Sequence, residues 1–310
     1  MNVIDTHHHF LPPDYVDEVG ADPIARPLVS GRVPDWSPTA SIEAMDRSGV
    51  GLAVLSLSSP ALESLPPERR PAVARHCNEY AANLVRDYPG RFGFFATLPL
   101  VDIDASLREV EHCFHALGSS GVCLMTNYGG RYLGDPVLAP LLAELDRRDA
   151  VIFVHPTMPE PEPPSIGLPA ASLEFPFDTT RTIASLMFSG VLLRYRRLRF
   201  IFSHAGGVVP LLAARLARLE SQSRFREAVP EGVIAALKGF YFDTALSADD
   251  YALPGLLRLA APDKVLFGSD FPHAGAVIID KALESLRRSA CASDILSAIE
   301  GDNARKLFGI

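Results

Sequence analysis

The sequence predicts an α/β protein of the (β/α)8 TIM-barrel class, and three observations predict it. Eight short apolar runs rich in β-branched and aromatic residues recur along the 310 positions. Longer segments with helical spacing of apolar residues separate most of them. Near-continuous apolar strands with intervening helices imply a parallel sheet covered on both faces, and eight such units in about 250–300 residues have the size of a barrel. A doubly wound open sheet is the alternative, but no Gly-x-Gly-x-x-Gly follows the first run.

The candidate strands, in order, are 3–9 (VIDTHHH), 50–57 (VGLAVLSL), 92–98 (FGFFATL), 121–126 (GVCLMT), 151–155 (VIFVH), 198–204 (LRFIFSH), 239–244 (GFYFDT) and 265–270 (VLFGSD). Helical spacing covers 72–87, 105–117, 136–148, 178–195, 209–221, 230–237 and 250–261, with two closing helices at about 276–289 and 293–308. Asp102 or Asp104 is placed to cap the segment at 105, and Asp178 the one that follows it. The whole chain, 1–310, reads as one barrel domain with loop insertions at about 10–40 and 156–176. Arg194, Arg196, Arg197 and Arg199 fall between a helix end and the sixth strand, so they belong to the stability face, where positive charge favours a helix C-terminus.

Composition narrows the function. A net charge of −8 and a pI of 5.6 with no basic run argue against a nucleic-acid partner. Cys77, Cys113, Cys123 and Cys291 form no C-x-x-C pair, so neither a disulfide framework nor a thiolate metal site is expected. No charged leader and no run of membrane-spanning length is present. A soluble cytoplasmic protein, with no membrane partner, is the expectation.

The metal-type residues supply the chemistry. In a strand, side chains alternate faces, so His7 and His9 point one way and His8 the other. His7 and His9 end the first strand, His155 the fifth, His204 the sixth and Asp270 the eighth. Barrel strands converge at their C-terminal ends, where such enzymes carry their active sites. Any one of these residues could simply finish a turn, but together they predict a single divalent-metal site. His76, His112 and His115 fall on helices and are expected at the surface or in packing.

Carried on the same residues is a resemblance. D-x-H-x-H on the first strand, V-H-P on the fifth, S-H-A-G-G on the sixth and G-S-D-F-P on the eighth resemble the amidohydrolase superfamily. Within it they are similar to the branch of aminocarboxymuconate-semialdehyde, γ-resorcylate and 6-methylsalicylate decarboxylases. TNYGGRYLGDP (126–136) and FPFDTTRTIA (175–184) look closer to the small-phenolic-acid decarboxylases than to the semialdehyde enzyme. The resemblance runs end to end and implies a barrel of the metal-dependent hydrolase type. It implies that His7, His9, His155 and Asp270 bind one metal, with His204 beside it as ligand or acid/base. Binuclear relatives use a carboxylated lysine at the end of the fourth strand. Here that strand ends LMTN, and the lysines are Lys238, Lys264, Lys281 and Lys306. One divalent ion is therefore expected, zinc first and manganese as the alternative.

The activity that follows is non-oxidative decarboxylation of a small aromatic (salicylate-like, phenolic) or muconate-type acid. Asp270 is expected to protonate the ring carbon while His204 sets its protonation state. A metal-dependent hydrolase, lactonase or hydratase acting on a ring-cleavage product is the competing reading, and an inert binding protein a third. A hydrolase of a dicarboxylate should carry more cationic residues in its pocket. Candidate substrate contacts are Arg32 from the long connection after the first strand, Asn127, Arg181, Phe177 as a wall for a flat ring, and His273 at the mouth. Related enzymes and apolar outer helices imply a homodimer.

Overall fold

The computed structural model describes residues 3–100, 102–289 and 293–310. Eight parallel strands pair in sequence order: β1 (Val3–His9), β2 (Val50–Ser56), β3 (Phe92–Thr97), β4 (Gly121–Met125), β5 (Val151–His155), β6 (Arg199–Phe202), β7 (Tyr241–Asp243) and β8 (Val265–Leu266). The remaining seam between β8 and β1 is closed by single backbone bonds. Thr6 N donates to Phe267 O, Asp270 N to His7 O and His9 N to Phe271 O. The chain is a (β/α)8 barrel, and all eight expected strands are present.

Two apolar layers follow from strand alternation. Side chains pointing inward, among them Ile4, Val54, Phe95, Phe153, Ile201 and Leu266, fill the barrel. Ala304 and Leu307 of the last helix, Asn303–Phe308, pack against this layer, and Phe308 meets Phe95 at 5.9 Å between ring centroids. Outward-facing residues such as Leu55, Phe94, Ile152 and Phe202 join the helices in a larger outer core. The barrel interior is thus solid apolar packing up to the level of His7, whose ring lies 5.0 Å from that of Phe153.

One helix start matches the sequence reading, and the helix around Asp178 differs from it in two informative ways. Asp102 does cap its helix, accepting from the N–H groups of Asp104 and Ala105. Asp178 does not cap: its helix runs Glu174–Phe188, and Asp178 lies buried within it. The carboxylate accepts instead from Thr126 Oγ1, Asn127 Nδ2 (2.8 Å) and the Tyr132 hydroxyl (2.7 Å), tertiary donors that a local pattern does not reveal. The expected continuous helix 178–195 also breaks at Gly190, φ 78°, before a short turn at Val191–Arg194.

The stretch read as a loop insertion at about 10–40 carries helices Pro13–Val19 and Ala21–Ala25 and the start of Pro38–Ser48. The last has ordinary punctuation: Ser37 accepts from Ala40 N, Pro38 follows, and Gly49 ends it in the left-handed region. Cys77, Cys113 and Cys123 are free and buried, while Cys291 lies outside the described residues. No helix among the described residues is long and apolar enough to cross a membrane.

Candidate metal centre and substrate cavity

The strand ends build the site. His7 and His9 leave the buried face of β1 in the same direction, and the imidazole of His7 meets that of His9 at 3.0 Å, Nε2 to Nε2. His8 turns the other way, to Asp5 Oδ2 and Ser41 Oγ, as alternation requires. One ligand atom each of His7, His9, His155 and Asp270 lie within 4.8 Å of one another. Asp270 Oδ1 is 3.4 Å from His7 Nε2 and 3.2 Å from His9 Nε2.

Their second nitrogens show what the cluster can hold. His7 Nδ1 faces Asp243 Oδ2 at 2.9 Å, His9 Nδ1 the Ser56 carbonyl at 3.1 Å, and His155 Nδ1 the Pro156 carbonyl at 2.8 Å. The carboxylate and the two carbonyls only accept, so each Nδ1 carries the proton and each Nε2 presents a lone pair; the Ser56 hydroxyl, 3.0 Å from His9 Nδ1, then accepts from it too. Three lone pairs and a carboxylate oxygen converging in a buried space repel one another unless a cation sits among them. The donor set therefore fits a divalent metal ion, and three imidazoles with one carboxylate are a ligand set that zinc and its neighbours accept.

Electrostatics agree. Burial disfavours a charged His7, but the Asp243 and Asp270 carboxylates outweigh it and push its pKa up to about 10. Burial lowers His9 to about 4 despite its contact with Asp270. Burial and the neighbouring imidazoles hold His155 well below the usual range. Burial would raise Asp270, yet its bonds to His7 and His9 win and hold it well below an ordinary carboxyl. One proton on His7 is the smallest cation this set can hold.

His204 follows β6 in a positive-φ pair with Ala205 (φ 53° and 57°), and Asp270 has φ 61°. Such backbone at functional side chains costs about 1–3 kcal/mol per residue where the conformation is strained, most plainly at Ala205. It turns His204 so that its Nδ1 reaches the Ala245 carbonyl at 3.1 Å and its ring lies 4.8 Å from that of His7. Burial, followed by the charge on His7, lowers its pKa.

Asp243, at the end of β7, is the residue the sequence reading missed. It is buried, orients His7 through Oδ2 and accepts His204 N (2.9 Å) and Ala245 N (3.0 Å) through Oδ1. An acid at the C-terminal end of GFYFDT met the same positional rule as the clustered histidines and Asp270, and was the available signal. Asp5 was missed as well; it takes Ser269 N and Oγ, His7 N and His8 Nδ1, and so locks β1 to the Asp270 loop. Gly268 is needed there because a Cβ would fall 2.7 Å from His7 Cβ and 3.1 Å from Asp243 Cβ.

Above the cluster opens a cavity of about 280 Å³ that His155, His204, Asp270 and His273 line. Leu28, Phe175, Pro176 and Leu246 give it apolar walls, and no lysine or arginine is among its described lining residues. The other residues expected at the substrate are elsewhere. Phe177 is 41 % exposed: with the helix starting at Glu174, positions 175 and 177 are about 200° apart, so Phe175 takes the inward place. Arg181, on the same helix, is half exposed and 4.0 Å from Asp178. Arg32 is exposed, and Leu28 supplies the contact from its connection. Asn127 is buried, holds the Met158 carbonyl and Asp178, and borders a separate groove of about 560 Å³.

Comparison with known proteins places this geometry. The family model described as Amidohydrolase matches residues 4–310. A 6-methylsalicylic acid decarboxylase from Penicillium expansum is 38% identical over 285 residues, which cover 88% of this chain and 86% of that protein. The crystal structure of an amidohydrolase II, target LpR24, superposes with a TM-score of 0.92 at 28% identity, covering 99% of this chain and 100% of that one. The manganese-complexed 5-carboxyvanillate decarboxylase from Novosphingobium aromaticivorans shares the fold, with a TM-score of 0.84 at 20% identity over 100% of this chain and 96% of that one.

Proposed function

We propose a metal-dependent, non-oxidative decarboxylase of a small aromatic carboxylic acid, from a plain premise: the chain belongs to the amidohydrolase family. The observation that carries the reading is the cavity itself. It joins a cation-demanding cluster to apolar walls wide enough for one ring, with no cationic side chain among the described lining residues. A second carboxylate would have nothing to balance it, which favours a salicylate-like monocarboxylate over a muconate-type diacid or a dicarboxylate for hydrolysis. The relative that decarboxylates 6-methylsalicylic acid supports the same choice.

His7, His9, His155 and Asp270 would hold one divalent ion. When bound there, it supplies a Lewis acid that orients the acid and draws electron density from its oxygens. Zinc suits the three imidazoles; manganese, bound in the 5-carboxyvanillate enzyme, accepts the same donors.

Proton movement falls to the protein. Loss of CO2 breaks the bond between ring carbon and carboxyl carbon, and the ring carbon must gain a proton in its place. Asp270 lines the cavity and is assigned that delivery. Its carboxylate is ionised in the resting cluster, so it passes on a proton that arrives with the acid or through His204. His204 keeps Nδ1 on Ala245 O, which leaves Nε2 as the basic atom able to hold that proton. The apolar wall of Leu28, Phe175 and Leu246 limits water around the reacting carbon.

The single domain 1–310 includes two insertions that cover this mouth. Arg26 forks onto Glu162 (2.6 and 2.7 Å) and Ala171 N donates to Pro27 O, tying them to each other. A homodimer fits the exposed Leu211 and Tyr251 on adjoining outer segments, and the free thiols fit a reducing cytoplasm. The decisive experiment incubates metal-loaded protein with salicylate-, resorcylate- and muconate-type acids and follows CO2. Stoichiometric CO2 from a hydroxylated benzoate is expected; consumption of an acid with water uptake and no CO2 overturns the reading.

A further inference from the structure

Around the rim, five histidines are tied down and one is not. His7, His8, His9, His155 and His204 each anchor Nδ1 on a carboxylate or a backbone carbonyl. His273, three residues beyond Asp270, has both ring nitrogens buried and neither has a partner among the described residues. It lines the cavity, and its ring centroid is 5.0 Å from that of His9, so it stands beside the metal cluster. Buried polar atoms are ordinarily satisfied, and an exception in a binding cavity marks where a ligand supplies the partner.

Which partner follows from the donor inventory. A neutral imidazole offers one N–H and one lone pair. A carboxylate only accepts and leaves the lone pair unmet, whereas a hydroxyl can donate to it. Of the rest of the lining, Leu28, Phe175, Pro176 and Leu246 offer apolar contact and Ser58, Ser172 and Ser247 add hydroxyls, but among the described lining residues His273 alone has buried side-chain polar atoms without a partner.

We propose that His273 is a specificity-determining residue of this cavity: it hydrogen-bonds a hydroxyl substituent on the aromatic ring and so sets which hydroxylation pattern the site prefers. This rests on the decarboxylase reading and deepens it. Binding, measured apart from turnover, tests it. Affinities of benzoate, 2-hydroxybenzoate, 3-hydroxybenzoate and 2,6-dihydroxybenzoate are compared for the metal-loaded wild type and His273→Phe, with His273→Leu used in the same way should the Phe variant not fold.

In the wild type, at least one hydroxyl is expected to strengthen binding about tenfold over the acid lacking it. In the variant that gain should shrink to under about twofold, while benzoate binds as before and metal content stays at that of the wild type. Hydroxyl gains of equal size in both proteins overturn the proposal. So does loss of the metal in the variants, which would make His273 a support of the cluster. CO2 release by the wild type from the same acids is read separately: its absence sinks the decarboxylase reading and leaves the hydroxyl comparison to stand on the binding data.

Discussion

The two ends of the barrel hold similar charged residues in opposite circumstances. At the C-terminal end, Asp243 and Asp270 are buried beside His7, His9, His155 and His204, and ligand atoms of His7, His9, His155 and Asp270 converge. At the N-terminal end, Arg197 lies half exposed, 3.3 Å from Asp149 and 3.6 Å from Asp146, while Arg199 donates to the carbonyls of Leu307 and Asp149. Between them stands the aromatic layer of Phe95 and Phe153, stacked at 5.3 Å. A buried carboxylate needs specific partners and shapes its neighbours' protonation. An exposed ion pair is solvated and screened, and contributes little. The candidate site therefore lies where charge is costly to hold, and the opposite face carries solvated pairs.

The largest effect that breaks this contrast is removal of a ligand at the C-terminal end. His155→Ala deletes one imidazole from the four-donor set. Since a bound metal ion contributes several kcal/mol to catalysis, activity should fall about a thousandfold or more. Elemental analysis should show less than stoichiometric metal, and circular dichroism should show the barrel intact. A variant that retains full metal and activity would remove His155 from the centre. Chelation of the wild type should reproduce the loss, with recovery when zinc or manganese returns, and the metal giving fuller recovery identifies the preferred ion.

Asp243→Asn comes next. The substitution keeps the shape but takes away the charge that fixes the proton on His7 Nδ1 and meets His204 N and Ala245 N. Loss of such an outer partner weakens metal affinity about 10–100-fold. Metal titration against a competing chelator measures it, and an affinity equal to the wild type would reduce Asp243 to a packing residue.

That Asp243 emerged only from coordinates shows what was legible in the sequence. Strand existence was legible because each strand is a dense apolar run bounded by turn residues. The clustering of His7, His9, His155 and Asp270 was legible because a barrel assigns a position to every strand end. Local helix starts were legible only in part: Asp102 caps as expected, but Asp178, which has the look of a cap, gives its carboxylate to Thr126, Asn127 and Tyr132, some fifty residues away. Both Phe175 and Phe177 suit a flat ring by type, and only the helix running from Glu174 decides that Phe175 lines the cavity while Phe177 is exposed. Arg32 failed for a related reason. Long connections leave side-chain direction open until tertiary contacts, here Leu28 at the cavity wall, fix it. Helix Pro38–Ser48 was hidden differently, since its clear caps lay in a stretch assigned to an insertion.

A pH series sharpens the comparison further. With the carboxylates of Asp243 and Asp270 overcoming burial, His7 stays protonated up to about 10, whereas burial keeps His9 neutral down to about 4. His155 is neutral and Asp270 ionised throughout the ordinary range. Near neutral pH a metal ion must then displace one proton, that on His7. Affinity should rise about tenfold per pH unit from about 6 to 9 and level off as His7 loses its proton unaided. Acidification weakens binding and alkalinity strengthens it. Proton release near one per metal ion, read with an indicator dye at pH 7, checks the assignment; no release would mean that His7 is already neutral.

The smallest effect belongs to the other end. Arg197→Ala removes an exposed guanidinium from Asp146 and Asp149, although its backbone N–H still donates to Asp146 Oδ1 at 2.7 Å. Exposed pairs contribute about 0–1 kcal/mol, so denaturant unfolding should shift by no more than that. Metal affinity and turnover should be unchanged, because the packed aromatic layer separates this arginine from the cluster and solvent screens its charge. A drop in metal affinity of the size expected for Asp243→Asn would mean that the two ends are coupled through the barrel interior, and that the division of labour drawn from their burial is wrong.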